Sequence, residues 1–247
     1  MILLVNDDGI SSPGLRALYH ALRTITGLAV LVVAPASERS GQSHAITIDR
    51  GLAAAPRLED GFFGFAIDGT PTDCTKLALD QLCPEPPRLV VSGINDGPNA
   101  GRSVFYSGTL GAALEAAILG CPALAVSRMK GWTSAEDGAE FAARWAARML
   151  HAPGLGGCVA NLNLPAVPAR QWREPRLARH GLGGFNERYR PVREGGRTVW
   201  RLYGAWVPAE EGDDVALLTA GHPVVSLLRP DLNHPDPAAL QRLVEMR

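Results

Sequence analysis

The chain has 247 residues, of which 46% are hydrophobic and 20% charged, and its formal net charge is −1 at pH 7. This length and apolar content can bury a full core, which excludes a disordered chain and predicts one or two domains. The balanced charge gives no basic field that would attract a nucleic-acid polymer or an anionic membrane. No apolar run approaches the roughly 18 residues that span a bilayer, so we expect a cytoplasmic protein.

The first 165 residues alternate strand-like and helix-like segments. Residues 2–5 form an apolar run typical of a strand buried on both faces, and Ser12 and Pro13 suit the start of a helix that ends at Gly27. The same patterns predict strands at 28–34, 88–92, 123–127 and 158–162, and helices at 110–119 and 135–150. Strands that alternate with helices pair in parallel through right-handed crossovers. The expected fold is therefore an α/β protein, a Rossmann-like three-layer α/β/α sandwich with a mostly parallel sheet.

Two other regions depart from this alternation. Residues 45–48 and 62–67 read as extended strands around polar turns, which predicts a β-hairpin. After residue 165, prolines interrupt a region that shows only candidate strands at 199–207 and 223–228 and a candidate helix at 235–246. We therefore divide the chain into a Rossmann-like domain, 1–165, and a β-rich C-terminal extension, 166–247. We expect the extension to pack as an arm on the sheet or on a second subunit.

The most acidic short motif, Asn6-Asp7-Asp8-Gly9, directly follows the first strand. Open α/β sheets bind ligands beyond the carboxyl ends of their strands. Two adjacent carboxylates repel each other unless a cation compensates them, and carboxylate oxygens suit Mg²⁺ or Mn²⁺ better than zinc. The alternative is a solvated turn that caps the next helix.

A polar segment, residues 37–44, follows the second strand. Ser40 or Ser43 could add an oxygen ligand at the same edge of the sheet, and Arg39 or His44 could meet a phosphate. The alternative is an ordinary surface loop.

The longest glycine-rich segment, residues 92–101, follows the strand at 88–92. Ser107, Gly108 and Thr109 come next, immediately before a predicted helix, where hydroxyls and free N–H groups can bind phosphate without a lysine. It is not a Walker loop, because no Gly-Lys-Ser/Thr occurs. A loop of this length is uncommon inside a compact domain unless it is functional.

Two further polar motifs predict mainly structural roles. Thr70 or Thr72 could cap a helix that carries Asp73 in its first turn. Asn161 and Asn163 end a strand at the same sheet edge and could orient the loops there.

Because each of the three loops follows a predicted parallel strand, we expect all three at one edge. Together they supply two carboxylates, an amide, a hydroxyl and a phosphate cradle. That set suits metal-assisted attack on a phosphoryl group. Two other function classes remain open, a nucleotide sensor without activity and a metal-dependent sugar-nucleotide enzyme.

Seven ordered motifs resemble the SurE family of survival-protein phosphatases. They are NDDG (6–9), RSG (39–41), GTPTDC (69–74), SGINDGPNAG (92–101), YSGT (106–109), PALAVS (122–127) and NLNLP (161–165). The resemblance implies a Rossmann-like domain whose C-terminal extension exchanges between the subunits of a homodimer or larger homo-oligomer. It implies a metal-dependent 5′-nucleotidase that hydrolyses nucleoside 5′-monophosphates, with 3′-monophosphates and short polyphosphate as further substrates.

The resemblance also implies a set of site residues and one divalent cation per subunit, Mg²⁺ or Mn²⁺. The metal ligands would be Asp7, Asp8, Ser40 and Asn95, and the same two aspartates would be catalytic. The substrate phosphate would be bound by Asn99, Ser107, Gly108 and Thr109. Near the end of the chain, Asp213 and Asp214 stand where the family pattern has Thr-Asp.

Overall fold

The computed structural model describes residues 1–59, 62–130, 135–207 and 210–233, together with 238, 241 and 245. In these ranges the strands are β1 (Ile2–Val5), β2 (Val30–Pro35), β3 (Ala54–Glu59), β4 (Phe62–Ile67), β5 (Leu89–Asp96), β6 (Ala123–Arg128), β7 (Val159–Leu164), β8 (Arg176–Leu177), β9 (Gly184–Phe185), β10 (Arg188–Glu194), β11 (Arg197–Tyr203), β12 (Trp206–Val207) and β13 (Val224–Leu228). The α-helices are α1 (Pro13–Thr26), α2 (Pro71–Leu77), α3 (Gly108–Ile118), α4 (Ala135–Met149) and α5 (Asp214–Thr219). A 3₁₀ helix spans Gly101–Tyr106 and a π-helical turn spans Ala78–Leu82.

Nine of these strands form one sheet in the order β3-β4-β2-β1-β5-β6-β7-β13-β8. The six strands from β4 to β7 are parallel, whereas β3 and β13 run antiparallel to β4 and β7. The predicted α/β fold with a mostly parallel sheet is confirmed.

Helices cover both faces of the sheet because its central strands are apolar on both sides. In β1, Ile2 and Leu4 pack in the layer of α1 and α4, while Leu3 and Val5 pack in the layer of α2 and α3. All four side chains are fully buried. If this alternation continues beyond β1, Asp7 lies on the same side as Leu3 and Val5, which is the side covered by α2 and α3.

The predicted first helix is confirmed as α1, and it begins and ends where the sequence predicts. Ser12 precedes the helix in an extended conformation, Pro13 opens it, and Gly27 closes it in the left-handed conformation with φ 67°. Glycine is favoured there because a Cβ would strain that backbone.

Two expectations about local structure are wrong. Residues 45–48 form no strand, and the strand that pairs antiparallel with β4 is β3. Residues 93–96, expected in a loop after the strand at 88–92, belong to β5, which continues to Asp96 through a bulge between Ser92 and Asn95.

The segment after residue 165 contributes to the same sheet and also forms smaller pairs. β13 and β8 extend the sheet beyond β7, β10 and β11 form a separate antiparallel hairpin, and β12 pairs with β9. The division at residue 165 stays a prediction, and the expected helix at 235–246 lies mostly outside the described residues. Among the described helices, none has the length and apolar character to cross a membrane.

Candidate active site

A cleft of about 1090 Å³ opens at the carboxyl ends of β1 and β5. Its lining includes six of the eight predicted site residues, namely Asp7, Asp8, Ser40, Asn95, Asn99 and Ser107. Because β1 leads to α1 on one face and β5 leads to α3 on the other, the loops diverge there and leave room for a ligand.

Asp7 is the buried carboxylate of the site, with 4% of its surface exposed. The hydroxyl of Thr109 donates a hydrogen bond to its Oδ1 at 2.7 Å. Burial raises the pKa of Asp7, and the hydrogen bonds from the Thr109 hydroxyl and main-chain N–H oppose that rise. Its main-chain oxygen accepts the N–H of Arg39 at 2.7 Å, which ties the second loop to the first.

Asp8 is only half-buried and faces the cleft. Its Oδ2 accepts the main-chain N–H of Asp96 at 3.3 Å. Burial and the neighbouring charge of Asp7 raise the pKa of Asp8 to about 6. The two carboxylates therefore differ in their surroundings, since Asp7 is held by protein donors and Asp8 is accessible.

The charge of this pair is not balanced by the described part of the chain. Neither Asp7 nor Asp8 forms an ion pair with a described cationic side chain. Glu38 and Asp96 also lie close enough to disfavour ionisation of Asp8. A divalent cation fits this surplus of negative charge. In the described residues no group of three or more His, Cys, Asp or Glu side chains could hold a metal ion, so neutral oxygens must complete any coordination shell.

Ser40 and Asn95 are the neutral oxygen donors that the sequence predicts. The hydroxyl of Ser40 donates to Oε1 of Glu38 at 2.7 Å, which leaves its oxygen lone pairs as acceptors. Asn95 donates its Nδ2 to the carbonyl of Gly97 at 2.6 Å, and its Oδ1 stays available. The donor set is therefore of the all-oxygen type that Mg²⁺ and Mn²⁺ prefer.

Asn99 is held by buried polar contacts behind the cleft. Its Nδ2 donates to Oγ of Ser127 at 2.8 Å, and its main-chain oxygen accepts Nδ2 of Asn161 at 2.8 Å. Oδ1 of Asn163 accepts the main-chain N–H of Asn99, also at 2.8 Å. The two asparagines of β7 thus have the orienting role that the sequence predicts for them.

The amino end of α3 is only partly available to a ligand. Ser107 caps α3, accepting the N–H of Leu110 at 3.0 Å, and lies on the cleft. Gly108 and Thr109 do not line the cleft, and the fully buried Thr109 hydroxyl donates to Asp7 and accepts from Asn99. The structure therefore brings Ser107 to the cleft and places Gly108 and Thr109 behind Asp7.

Comparison with known proteins matches residues 2–187 to the family model of the survival protein SurE. The chain belongs to the SurE family. It is 42% identical to the 5′-nucleotidase SurE of Nitratidesulfovibrio vulgaris (strain DP4), covering 99% of this chain and 98% of the relative. The 5′-nucleotidase SurE of Symbiobacterium thermophilum is 38% identical, over 96% and 94% of the two chains.

A solved structure supports the same assignment. The crystal structure of the SurE protein from Aquifex aeolicus has a TM-score of 0.84 to this chain, at 31% identity and with 99% of each chain covered. The likeness includes the C-terminal segment, where the SurE motifs of the sequence run out.

The far wall of the cleft in this SurE family member had no signal in the sequence pattern. Phe185, Tyr189, Leu202 and Trp206 line it and come from β9 to β12. The rings of Phe185 and Trp206 lie 6.3 Å apart. We call these four side chains the apolar wall. The sequence did not predict them, because the short strands of this arginine- and glycine-rich segment show no hydrophobic periodicity.

Charged groups at the mouth of the cleft were also missed. Arg128, at the end of β6, forms a 3.1 Å ion pair with Asp96, and Lys130 lies nearby on the lining.

By contrast, His44 and Arg39 do not line the cleft. His44 Nε2 lies 2.9 Å from Glu115, whose other oxygen accepts Nζ of Lys76 at 2.7 Å. Arg39 pairs with Asp68.

Proposed function

We propose that this SurE family chain is a metal-dependent phosphatase that hydrolyses nucleoside 5′-monophosphates to a nucleoside and phosphate. The proposal depends on one observation, that a single cleft holds the uncompensated Asp7–Asp8 pair, the cap of α3 and the apolar wall. Relatives that carry the name 5′-nucleotidase over nearly the whole chain support it. Nucleoside 3′-monophosphates and short polyphosphate are further proposed substrates.

The cofactor in this proposal is one Mg²⁺ or Mn²⁺ ion per subunit. Asp7, Asp8, Ser40 and Asn95 would hold it, because all four lie on the cleft and carry oxygen donors. When bound, such an ion neutralises the two carboxylates and draws charge from the phosphoryl oxygens.

The proposed reaction is a direct attack of water on phosphorus. Asp8 is the accessible carboxylate and takes a proton from the attacking water, while Asp7 is fixed by Thr109. A bond from the water oxygen to phosphorus forms and the ester bond breaks. The departing nucleoside oxygen takes a proton from solvent. Ser107 and the positive end of α3 stabilise the charge on the phosphoryl oxygens.

The apolar wall supports a nucleoside as the leaving group. Aromatic faces stack on bases with little sequence preference, and the wall lies in the same cleft as the carboxylates. The cleft volume of about 1090 Å³ lies just above the range of about 300–1000 Å³ found for small-molecule sites, so the cleft has room for a whole nucleotide.

We also propose that the domain of residues 1–165 carries the chemistry and that residues 166–247 act as a dimerisation arm in a cytoplasmic homodimer or larger homo-oligomer. The β10–β11 hairpin supports the arm, because it exposes Trp200 and Tyr203, which do not line the cleft. Large exposed apolar patches commonly mark protein interfaces. Sedimentation of the full chain and of a variant lacking the hairpin tests this.

The replacement Asp8→Asn tests the proposed function. With adenosine 5′-monophosphate and Mn²⁺, we expect it to lower phosphate release by at least about 100-fold while the thermal midpoint stays near that of the parent chain. Asp49→Asn, at an exposed position away from the cleft, is the matched control and should retain full activity.

Near-normal turnover by Asp8→Asn would contradict the assignment of Asp8. Tight nucleotide binding by the parent chain without phosphate release would favour a sensor. Turnover of a uridine diphosphate sugar, but not of the monophosphate, would favour a sugar-nucleotide enzyme.

A further inference from the structure

A buried carboxylate joins the C-terminal segment to the loop that carries Asn99 and Ser107. Asp214, in the first turn of α5, has 1% of its surface exposed. Its Oδ2 accepts the main-chain N–H of Gly101 at 2.9 Å. Its Oδ1 accepts the N–H groups of Gly181 and Val215, both at 3.0 Å. One side chain thus collects donors from three separate segments.

The conformation at Gly101 depends on these contacts. Gly101 has φ 53°, and a Cβ at this position would lie 2.0 Å from the carbonyl oxygen of Gly183. That same oxygen accepts the N–H of Arg102 at 2.7 Å. The carbonyl of Gly101 lies 2.9 Å from Nε2 of His180, which must be the donor because a carbonyl oxygen can only accept.

Gly101 lies between two residues of the cleft. It comes two positions after Asn99 and begins the 3₁₀ helix Gly101–Tyr106, which leads directly to Ser107. A shift at Gly101 therefore acts on both residues, and more on Ser107, because the main chain of Asn99 is also held by Asn161 and Asn163. Asp214 itself does not line the cleft.

We propose that Asp214 is a positioning residue for the phosphate side of the cleft, acting through Gly101 on Asn99 and Ser107. This proposal rests on the proposed phosphatase function. It makes the C-terminal segment necessary for a complete site, since that segment supplies the carboxylate that holds the loop.

The replacement Asp214→Asn tests the proposal in the full chain. The amide keeps the shape, but its NH₂ group faces an N–H donor, so one of the main-chain hydrogen bonds is lost. Because small displacements of positioned groups are costly to the rate, we expect kcat to fall by about 10-fold or more, with KM changing by less than about 3-fold. A merely structural role would lower the thermal midpoint without this separation of kcat from KM.

Asp213→Asn is the matched control. Asp213 is the neighbouring buried carboxylate; its Oδ1 caps α5 by accepting the N–H of Ala216 at 2.7 Å, and its Oδ2 accepts the N–H of Glu210 at 3.2 Å. Its amide also loses one main-chain hydrogen bond, but neither of these bonds involves Gly101. Asparagine caps helices as well as aspartate, so we expect kcat to stay within about 2-fold. An equal loss in both variants would overturn the proposal, because it would show an effect of charge or stability alone.

A second variant and a binding measurement keep the proposal testable. If Asp214→Asn does not fold, the replacement of the half-exposed His180 by alanine removes the side-chain hydrogen bond to the carbonyl of Gly101 and should also lower kcat. If the parent chain releases no phosphate, the proposed function fails, and binding of inorganic phosphate by calorimetry then decides. Weaker binding in Asp214→Asn than in Asp213→Asn supports the positioning role, and equal binding overturns it.

Discussion

The hydroxyl of Thr109 donates a 2.7 Å hydrogen bond to the carboxylate of Asp7, which lies 102 residues earlier in the chain. Both groups are buried, so the contact joins the start of α3 to the end of β1 without water. It also places a carboxylate at the positive end of a helix, which favours its ionised form.

Replacing Thr109 with valine should weaken both the fold and the reaction. The change leaves a buried acceptor unsatisfied at about 1–3 kcal/mol, and it frees the carboxylate that orients the site, so kcat should fall by about 10-fold. Thr72→Val is the matched control, because the buried Thr72 hydroxyl has no hydrogen-bond partner among the described residues and its loss should be neutral or stabilising. Urea unfolding and phosphate release measure the two effects; equal stability of the two variants would contradict the prediction.

Replacing Gly108 with alanine should move Asp7. A Cβ at Gly108 would lie 3.0 Å from Cβ of Asp7 and from Cγ of Pro71, tighter than ordinary van der Waals contact. Either neighbour must shift by a few tenths of an ångström, so we expect kcat to fall about 5-fold with little change in thermal midpoint. Gly51→Ala, whose added methyl has no atom of the described residues within 4 Å, should leave kcat unchanged. Parent-like turnover in Gly108→Ala would mean that Asp7 is not held as tightly as its contacts indicate.

Removing the Trp206 ring should change affinity for nucleotides more than the chemistry. Trp206→Ala should raise KM for adenosine 5′-monophosphate by about 5-fold or more, because stacking of a base on an aromatic ring contributes about 1–3 kcal/mol. KM for glycerol 2-phosphate, which has no ring, should not change. Trp200→Ala, on the neighbouring hairpin and 64% exposed but outside the cleft, is the control. An equal rise in KM for both substrates would show that the apolar wall does not bind the base.

Asp73 should make the stability of the chain depend on pH. Burial opposes its ionisation, but hydrogen bonds from the side and main chains of Thr47 and from Thr70 outweigh burial and lower the pKa of Asp73. Its contribution is therefore fully present above the unfolded pKa, near 3.8, and is lost as the pH falls through the lower folded pKa. Asp73→Asn should cost about 1–2 kcal/mol at pH 7.

The difference between the parent chain and Asp73→Asn should shrink on acidification below about pH 4, in the window between the two pKa values. Urea unfolding at pH 7 and at pH 3 measures it, with the exposed Asp49→Asn as a control that should show no difference at either pH. If the difference in the free energy of unfolding were the same at both pH values, the contacts of Asp73 would not depend on its charge.

Elements with strong local signals could be predicted from the sequence. β1 has the expected bounds, and α1 begins and ends where Ser12, Pro13 and Gly27 predict. The convergence of Asp7, Asp8 and Asn95 on one cleft followed from the expected parallel pairing, because parallel strands bring their carboxyl ends to one edge.

The remaining elements depended on tertiary contacts that no local pattern contains. Ile46 and Ile48 alternate like a strand, yet they are 49% and 85% exposed, and Thr47 is bound by the side chain of Asp73 instead of by a neighbouring strand. Thr109 has the residue type of a phosphate ligand, but its hydroxyl is already occupied by Asp7 and Asn99. These contacts depend on the packing of α3 beside β1, which the local sequence does not contain.

The bulge in β5 determines which helix layer Asn95 faces. Ser92 pairs with Ala125 and Asn95 pairs with Ser127, so three steps along β5 match two along β6. Side chains alternate along a strand, and the extra residue therefore turns Asn95 to the face that a regular strand would have given to position 94. A regular strand of the same residues would continue the alternation of Leu89 and Val91 and turn the amide of Asn95 into the layer of α1, away from Asp7.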